Sequence, residues 1–553
     1  MKGRTVRLPH LRNALASTLA ALLLAGCGAS VASDTTSTSG SPSRSSSGVV
    51  ASDGTTVEEV LAEDVAVETG DTAYDEADAT AITLSGSSAD SDSDAVTVED
   101  GTVTISAAGT YVLGGELTGQ LVVDSAGDGV VRLVLDDATI TSETTAAIDV
   151  VDAQSVVVVL AEGSTNVLAD AATYADTSED APTGTLYSTA DLTIGGSGSL
   201  TVAGNSNNGI VGKDGLVITG GTIDVTSVDD GILGKDYLVL ADGTVTVDAV
   251  GDTFTSDNTE DAGSGFVLIE GGELSVTSQD DGIKGVQVLI SGGTVDVAGS
   301  HEALEGSLIV IDDGDVELHS ADDGVNAASS DDSTATDGQP GGEMAPDDSL
   351  ALYVNGGTLE VWASGDGLDS NGSATITGGE TTVYGPTTDG NGALDVNGTF
   401  DVNGGTLVAT GSSQMLVAPS ADSAQGWVAT ALGATAPAGS EVVITDADGA
   451  EVATYTPLKD FASVVLSSAD LTSGETYTVT VDGTATTVTA GEVPAGGHGG
   501  PMGAPPGDLT GREGGTTDQA PDLDGDGQRD TDSATDSAST SDSAASGSAA
   551  LNS

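Results

Sequence analysis

The segment Gly215-Leu-Val-Ile-Thr-Gly-Gly-Thr-Ile-Asp-Val-Thr-Ser227 is followed by Tyr237-Leu-Val-Leu-Ala-Asp-Gly-Thr-Val-Thr-Val-Asp-Ala249, the same pattern displaced by 22 residues. The second residue of its turn recurs at Gly221, Gly243, Gly272, Gly293, Gly314, Gly357, Gly379 and Gly405, at intervals of 22, 29, 21, 21, 43, 22 and 26 residues. The two long intervals hold polar insertions, around Asn258–Gly265 and Ala327–Asp348. Self-similarity at this period marks a solenoid. Within each unit apolar residues alternate with period 2 among Val, Ile and Thr, which is strand patterning. Aligned on the glycine, Leu216, Leu238, Val267, Val288, Ile309, Leu352, Ala374 and Phe400 form one column. Ile223, Val245, Leu274, Val295, Val316, Leu359 and Leu407 form another, broken at Thr381. The pattern predicts an all-β protein, a right-handed parallel β-helix with coils of about 22 residues stacked ~4.8 Å apart. No Leu-x-x-Leu-x-Leu/Asn frame supports a leucine-rich repeat.

Outward from the array (81–412) the chain changes character. Residues 1–26 carry Lys2, Arg4, Arg7 and Arg12 before an apolar run from Ala14 to Ala25, a secretory signal too short to span a bilayer. The run ends Leu24-Ala-Gly-Cys27, which resembles the bacterial lipoprotein box, so Cys27 is expected to carry a lipid anchor. It is the single cysteine, which leaves no disulfide or Cys-rich zinc site. The expectation is an exported, membrane-anchored protein facing outside and acting as a monomer. Residues 27–80 read as a flexible tether and 491–553 as a disordered acidic tail. Residues 413–490 read as a small β domain covering the last coil, where an open edge would otherwise pair. The 87 Asp and Glu against 12 Lys and Arg give a net charge of −75, which excludes nucleic acid as a partner.

The corners of the coils are acidic. Asp229-Asp230-Gly, Asp280-Asp281-Gly and Asp322-Asp323-Gly occupy matching positions with Asp252, Glu302 and the variant Gly365-Asp366-Gly-Leu-Asp369. Carboxylates stacked ~4.8 Å apart repel by a few kcal/mol at an effective dielectric of ~20, and need water, a proton or a cation. Oxygen-only donors point to Ca²⁺; Asp-Gly is also good turn chemistry in its own right. Both readings stand. Between Ser85 and Thr410 the bases are Arg132, Lys213, Lys235 and Lys284. Lys213 and Lys235, 22 residues apart, stack on adjacent coils, and Lys284 falls two residues off that register. All three have outward parity on the same turn, either to neutralise the acids or to serve a sugar carboxylate, one of them as a base. Five residues after the glycine stand His319, Trp362 and Tyr384, an outward row that suits a sugar chain, or else a patch under the 327–348 insertion.

Other motifs are incomplete. His301-Glu302-Ala-Leu-Glu305 lacks the second histidine of a zinc protease, and too few histidines remain for a Ser-His-Asp site. Asp522-x-Asp524-x-Asp526-Gly527 begins like a calcium loop but has Ser533 where such a loop ends in Glu. The stretches Ala108-Gly-Thr-Tyr-Val-Leu113, Leu133-Val-Leu-Asp136, Leu160-Ala-Glu-Gly-Ser-Thr-Asn166, the Asp-Asp-Gly-Ile coils, His301–Gly306 and Ala453-Thr-Tyr-Thr-Pro457 together cover much of Ile82–Val488. This combination resembles a bacterial family of exported carbohydrate-binding proteins, formerly a domain of unknown function. The resemblance implies a pectate-lyase-like right-handed parallel β-helix, calcium at the Asp-Asp-Gly positions, and binding of cellulose- and pectin-like polysaccharide without an established lyase activity. Three functions follow as expectations. The first is a non-catalytic, calcium-dependent binder of polysaccharide. The second is a polysaccharide lyase using Ca²⁺ and Lys213, Lys235 or Lys284 as base. The third is a surface adhesin or spacer.

Overall fold

A computed structural model describes residues 54–494, apart from 128, 179–180, 330–345 and 389, together with the backbone of 498–499. The signal segment, Cys27, the acidic tail beyond 500 and most of the 327–348 insertion lie outside the described residues.

Each coil lays down three short strands, and equivalent strands of successive coils pair in parallel. The coil quoted above contributes Asn208–Gly212, Gly215–Ile218 and Thr222–Ser227. The first of these belongs to a 13-stranded ladder whose inward residues are Ile210, Ile232, Phe254, Ile283, Leu304, Val325, Leu368 and Leu394. In the second ladder Leu216 pairs with Leu238, then Val267, Val288, Ile309, Leu352, Ala374 and Phe400, each no more than 1% exposed. In the third, Ile223, Val245, Leu274, Val295, Val316, Leu359, Thr381 and Leu407 stand in register. The aliphatic columns therefore stack through one continuous core. All eight turn glycines have φ between 70° and 115°. At Gly272 an added Cβ would also lie 2.6 Å from the Gly243 carbonyl of the coil before, so both conformation and space select glycine.

Thr381 is the exception in its column. Its side chain is fully buried, and its Oγ1 has no hydrogen-bond partner. An unsatisfied buried hydroxyl costs about 1–3 kcal/mol. Thr381→Val keeps the shape and removes the hydroxyl, so it is expected to stabilise the chain by about 1 kcal/mol, read as a raised urea midpoint at unchanged slope. A lowered midpoint would contradict this account.

Both ends of the array are closed by strands. At the N-terminal end Val96–Glu99 pairs antiparallel with Thr102–Ile105. There Val130–Thr141 serves two ladders at once, pairing with Ser155–Leu160 and Thr165–Ala169, and turns the corner at Asp137, whose φ is 54°. At the other end the edge strand Thr406–Gly411 pairs antiparallel with Phe461–Ser467, which also pairs with Trp427–Ala436. A separate four-stranded antiparallel sheet, 442–489, completes this C-terminal module.

Residues 54–74, expected as part of the tether, are a packed strap. The middle outward residue of the second ladder is apolar in coil after coil: Val217, Val239, Leu268, Leu289 and Val310 are all buried. Val57, Val60, Leu61, Val65 and Val67 cover them. Val57–Leu61, the one helix among the described residues, is a single capped turn: Thr56 Oγ1 accepts from Glu59 N, and Glu59 accepts from Thr56 N. Backbone contacts fix the strap along its length. Asn355 Nδ2 donates to Thr55 O (2.8 Å), Glu68 N to Tyr237 Oη (2.9 Å), and Arg132 to Asp71 O (2.8 and 3.0 Å).

Candidate metal centre

The acidic corners form a hydrogen-bonded staircase. Asn208 Oδ1 accepts from Asp230 N, Asp230 Oδ1 from Asp252 N, and Asp252 Oδ1 from Asp281 N, each at 3.1 Å. Downstream, Asp323 Oδ1 accepts from Asp366 N at 2.6 Å, and Asp366 Oδ1 from Gly392 N. Turn chemistry thus occupies one oxygen of each of these carboxylates and leaves the other for a different partner, which at Asp281 is Lys284. Asp229 and Asp280 stand exposed beside the staircase, while Asp322 lies 3.7 Å from His301 Nε2. A second polar row runs along the outward side of the first ladder, where Lys284, Glu305, Asn326, Asp369 and Asp395 stand in register on successive coils.

The two rows converge into carboxylate trios. Asp281, Glu302 and Glu305 form one; Asp323, Asp366 and Asp369 form another; Asp252, Asp280 and Asp281 form a third, and in each the facing oxygens lie within 4.8 Å of one another. Of the predicted ligands, Asp229, Asp230 and Asp322 join no trio, whereas Glu305, not predicted as a ligand, does. Its signal was its spacing: it follows Glu302 by three residues, as Asp369 follows Asp366.

Lys284 Nζ sits 2.7 Å from Asp281 Oδ2 and 2.6 Å from Glu305 Oε2. Burial works against its charge, but the hydrogen bonds it donates to Asp281 and Glu305 outweigh that and raise its pKa. A lysine so held is a poor base. The lysines stand as their spacing placed them. Lys235 N bonds to Gly212 O on the coil of Lys213, but Lys284 pairs with Thr255, two positions away from their register. Lys235 meets Asp257 at 3.1 Å, and Lys213 is exposed with no ion pair among the described residues. A cleft of about 240 Å³ beside Lys284 is lined by Asp230, Leu233, Asp252, Thr255 and Val286.

The Asp323–Asp366–Asp369 trio has no lysine or arginine in ion-pair contact among the described residues. Burial first, and neighbouring carboxylates second, push Asp366 up to about 7 and Asp369 up to about 8. Beside Asp369 in register is Asn326, about nine-tenths buried. Its Nδ2 donates to Glu302 Oε2 (2.9 Å), and its Oδ1 has no hydrogen-bond partner. Three carboxylates and an orphaned amide oxygen, without sulfur or imidazole, are the donor set of a hard cation and fit calcium.

The ring row is real but offers less surface than its parity implied. His319, Trp362 and Tyr384 stand in register. Ring centroids are 5.5 Å apart for the first pair, at 11° between planes, and 4.2 Å for the second, at 38°. The rings therefore stack on one another and present edges outward, not a floor of ring faces. Tyr384 is corrected from surface to interior: it is 4% exposed, with Tyr455 of the C-terminal module packed 6.5 Å away. Lys459 Nζ ties the module down by donating to the carbonyls of Ala363 and Tyr384. Trp362 Nε1 donates to Glu360 (2.8 Å), and His319 Nε2 lies 3.0 Å from Glu317. His319 and Trp362 are the two of the row that reach solvent.

Stacked parallel strands with acid-lined corners and a row of stacked rings define a repetitive β protein with outward rows of polar side chains. Residues 99–390 match the model of a family described as "carbohydrate-binding domain-containing protein". A relative of the same description from Acetivibrio thermocellus is 44% identical over 197 residues, 35% of this chain and 69% of that protein. The chain belongs to this carbohydrate-binding domain-containing family. A solved structure, "polysaccharide lyase-like protein from C. thermocellum, Gadolinium derivative", is 33% identical and covers 42% of this chain and 96% of its own, with a TM-score of 0.39.

Proposed function

We propose that this protein is an exported, lipid-anchored, calcium-dependent binder of cellulose- or pectin-like polysaccharide, acting as a monomer on a right-handed coil and without catalysis. The observation that carries the reading is the Asp323–Asp366–Asp369 trio beside the orphaned Asn326 Oδ1. Asp323, Asp366, Asp369 and Asn326 would hold the ion. Bound calcium supplies positive charge that keeps three neighbouring carboxylates ionised and can accept sugar oxygens as further ligands. Trp362, four residues before Asp366, and His319 supply apolar ring edges at the same corner. Glu317 and Glu360, already bonded to those rings, offer acceptors for sugar hydroxyls. The right-handed coil follows from the strong preference of parallel crossovers; the anchor follows from the Leu24–Cys27 box.

The lysine arrangement favours binding over lyase chemistry, because Lys284 is tied to two carboxylates and Lys235 to one. Affinity electrophoresis through gels containing cellulose-type or pectin-type polysaccharide is expected to show retardation in calcium that chelator relieves. Trp362→Ala is expected to weaken retention about tenfold, in line with a loss of 1–2 kcal/mol of stacking and burial. Migration indifferent to every polysaccharide would end the binding reading, and retention indifferent to chelator would end the calcium part. Steady release of unsaturated sugar from polygalacturonate would replace both with a lyase.

A further inference from the structure

Two of the carboxylate trios are a single motif placed twice. Each takes the corner acid of one coil, the corner acid of the next, and the residue three positions further on: Asp281, Glu302 and Glu305 upstream; Asp323, Asp366 and Asp369 downstream. In each, the residue three positions beyond the first corner acid pairs in register with the third carboxylate. Upstream this is Lys284 beside Glu305, and downstream it is Asn326 beside Asp369. Lys284 and Asn326 are therefore equivalent positions of the motif, one filled by an ammonium and the other by an amide oxygen.

We propose that Lys284 is a tethered cation occupying a divalent-metal site, so that Asp281, Glu302 and Glu305 form a latent calcium site that loss of this ammonium opens. Three carboxylates with oxygens inside 4.8 Å need protons or a cation between them, and an ammonium can give up to three donors to such a set. Two of those donors are visible, at 2.7 Å to Asp281 and 2.6 Å to Glu305. Asn326 separates the two trios. Its Nδ2 donates to Glu302 of the upstream one, which an acceptor facing a bound ion at that point would not need. Its Oδ1 is left buried and unpartnered, on a residue in register with Asp369 of the downstream one. The supply of bases agrees: after Lys284 the array holds no lysine or arginine up to Thr410, so the downstream trio has no such substitute in its own coils.

This inference rests on the calcium reading of the downstream trio, and the test separates the two. Calcium itself is the probe, titrated calorimetrically into the full chain after chelator treatment. Lys284→Asn is expected to bind one calcium ion more per chain than the wild type, and Asp369→Asn one fewer. A folded Lys284→Asn protein with the wild-type count overturns the lysine proposal and leaves the calcium reading untouched. A gain in Lys284→Asn with an unchanged count in Asp369→Asn supports the lysine proposal and removes the calcium reading of the downstream trio. Should Lys284→Asn unfold in calcium-free buffer, recovery of its β circular dichroism on adding calcium supports the proposal. Failure to recover, with Lys284→Arg folded, overturns it.

Discussion

In calcium-free buffer the thermal midpoint of this protein is expected to fall as the pH rises from about 5 to about 9, and calcium is expected to remove most of that fall. Burial raises several corner carboxyls, Asp230 to about 6 and Asp252 to about 7 among them, and the downstream trio adds two more. Burial and mutual repulsion hold Asp366 at about 7 and Asp369 at about 8, against an ordinary 3.8. A carboxyl whose pKa is raised by folding binds its proton more tightly in the native state than in the unfolded one. Native stability is then greatest below the unfolded value and is lost as the pH climbs through the folded one. This is the reverse of a salt-bridged aspartate. Calcium needs the ionised carboxylates, so its binding releases protons and strengthens over the same interval. At a thousandfold excess over its Kd, an ion bound only by the native state adds about 4 kcal/mol. Scanning fluorimetry across this range, with and without calcium, checks the sign directly. The Asp366→Asn/Asp369→Asn double variant is expected to lose the calcium gain and to show a shallower pH slope, the remainder coming from Asp230, Asp252 and Glu305, whose carboxyls burial also raises. A calcium-free midpoint that stays level with pH in the wild type would remove the buried carboxyls as the cause.

How far the sequence could be read depended on whether a signal repeats locally. The columns through Leu216 and Ile223 were legible because each coil restates them around a glycine of positive φ, and the register falls where that glycine places it. The corner acids were legible for the same reason. The partners across the corner were not. Parity says that Lys284, Glu305, Asn326 and Asp369 face outward, but pairing of each with the acid of the adjacent corner depends on how one coil sits over the next. Tyr384 has the parity of His319 and Trp362, yet Tyr455, more than seventy residues on, buries it. No local pattern carries that contact. The strap did leave a trace: outward positions Val217, Val239, Leu268, Leu289 and Val310 are apolar where a solvated face would be polar. A cover was therefore implied, though not its identity.

Replacing Val57 and Val60 of that cover by aspartate is expected to free the strap while leaving the coils intact. The strap spans eight ladder steps, from the coil of Asn355 to the coil of Arg132, or about 38 Å at ~4.8 Å per step. Over that length its apolar contacts are few, and Val57 and Val60 are its two buried side chains in the cluster. Losing the burial of both removes roughly 3–6 kcal/mol, and placing carboxylates in the apolar cluster beneath the strap adds a desolvation cost. Hydrogen bonds join the strap to Asn355, Tyr237 and Arg132, and others run from Val57 N to Asp312, Val65 N to Gly263 O, Gly70 N to Thr193 and Gln287 to Asp64. They contribute about 1 kcal/mol each, more where a charged group takes part, and depend on the apolar face to keep the strap seated. The main core is a separate cluster, so the ladders should keep their β circular dichroism. A glutamate-specific protease reads the difference, since Glu58, Glu59, Glu63 and Glu68 all lie in the strap. Cleavage there should quicken at least a hundredfold, the factor that about 3 kcal/mol allows when opening precedes the cut. A hydrophobic dye should bind the bared row at the same time. Equal cleavage in the variant and the wild type would mean that the strap is held by something other than its apolar face.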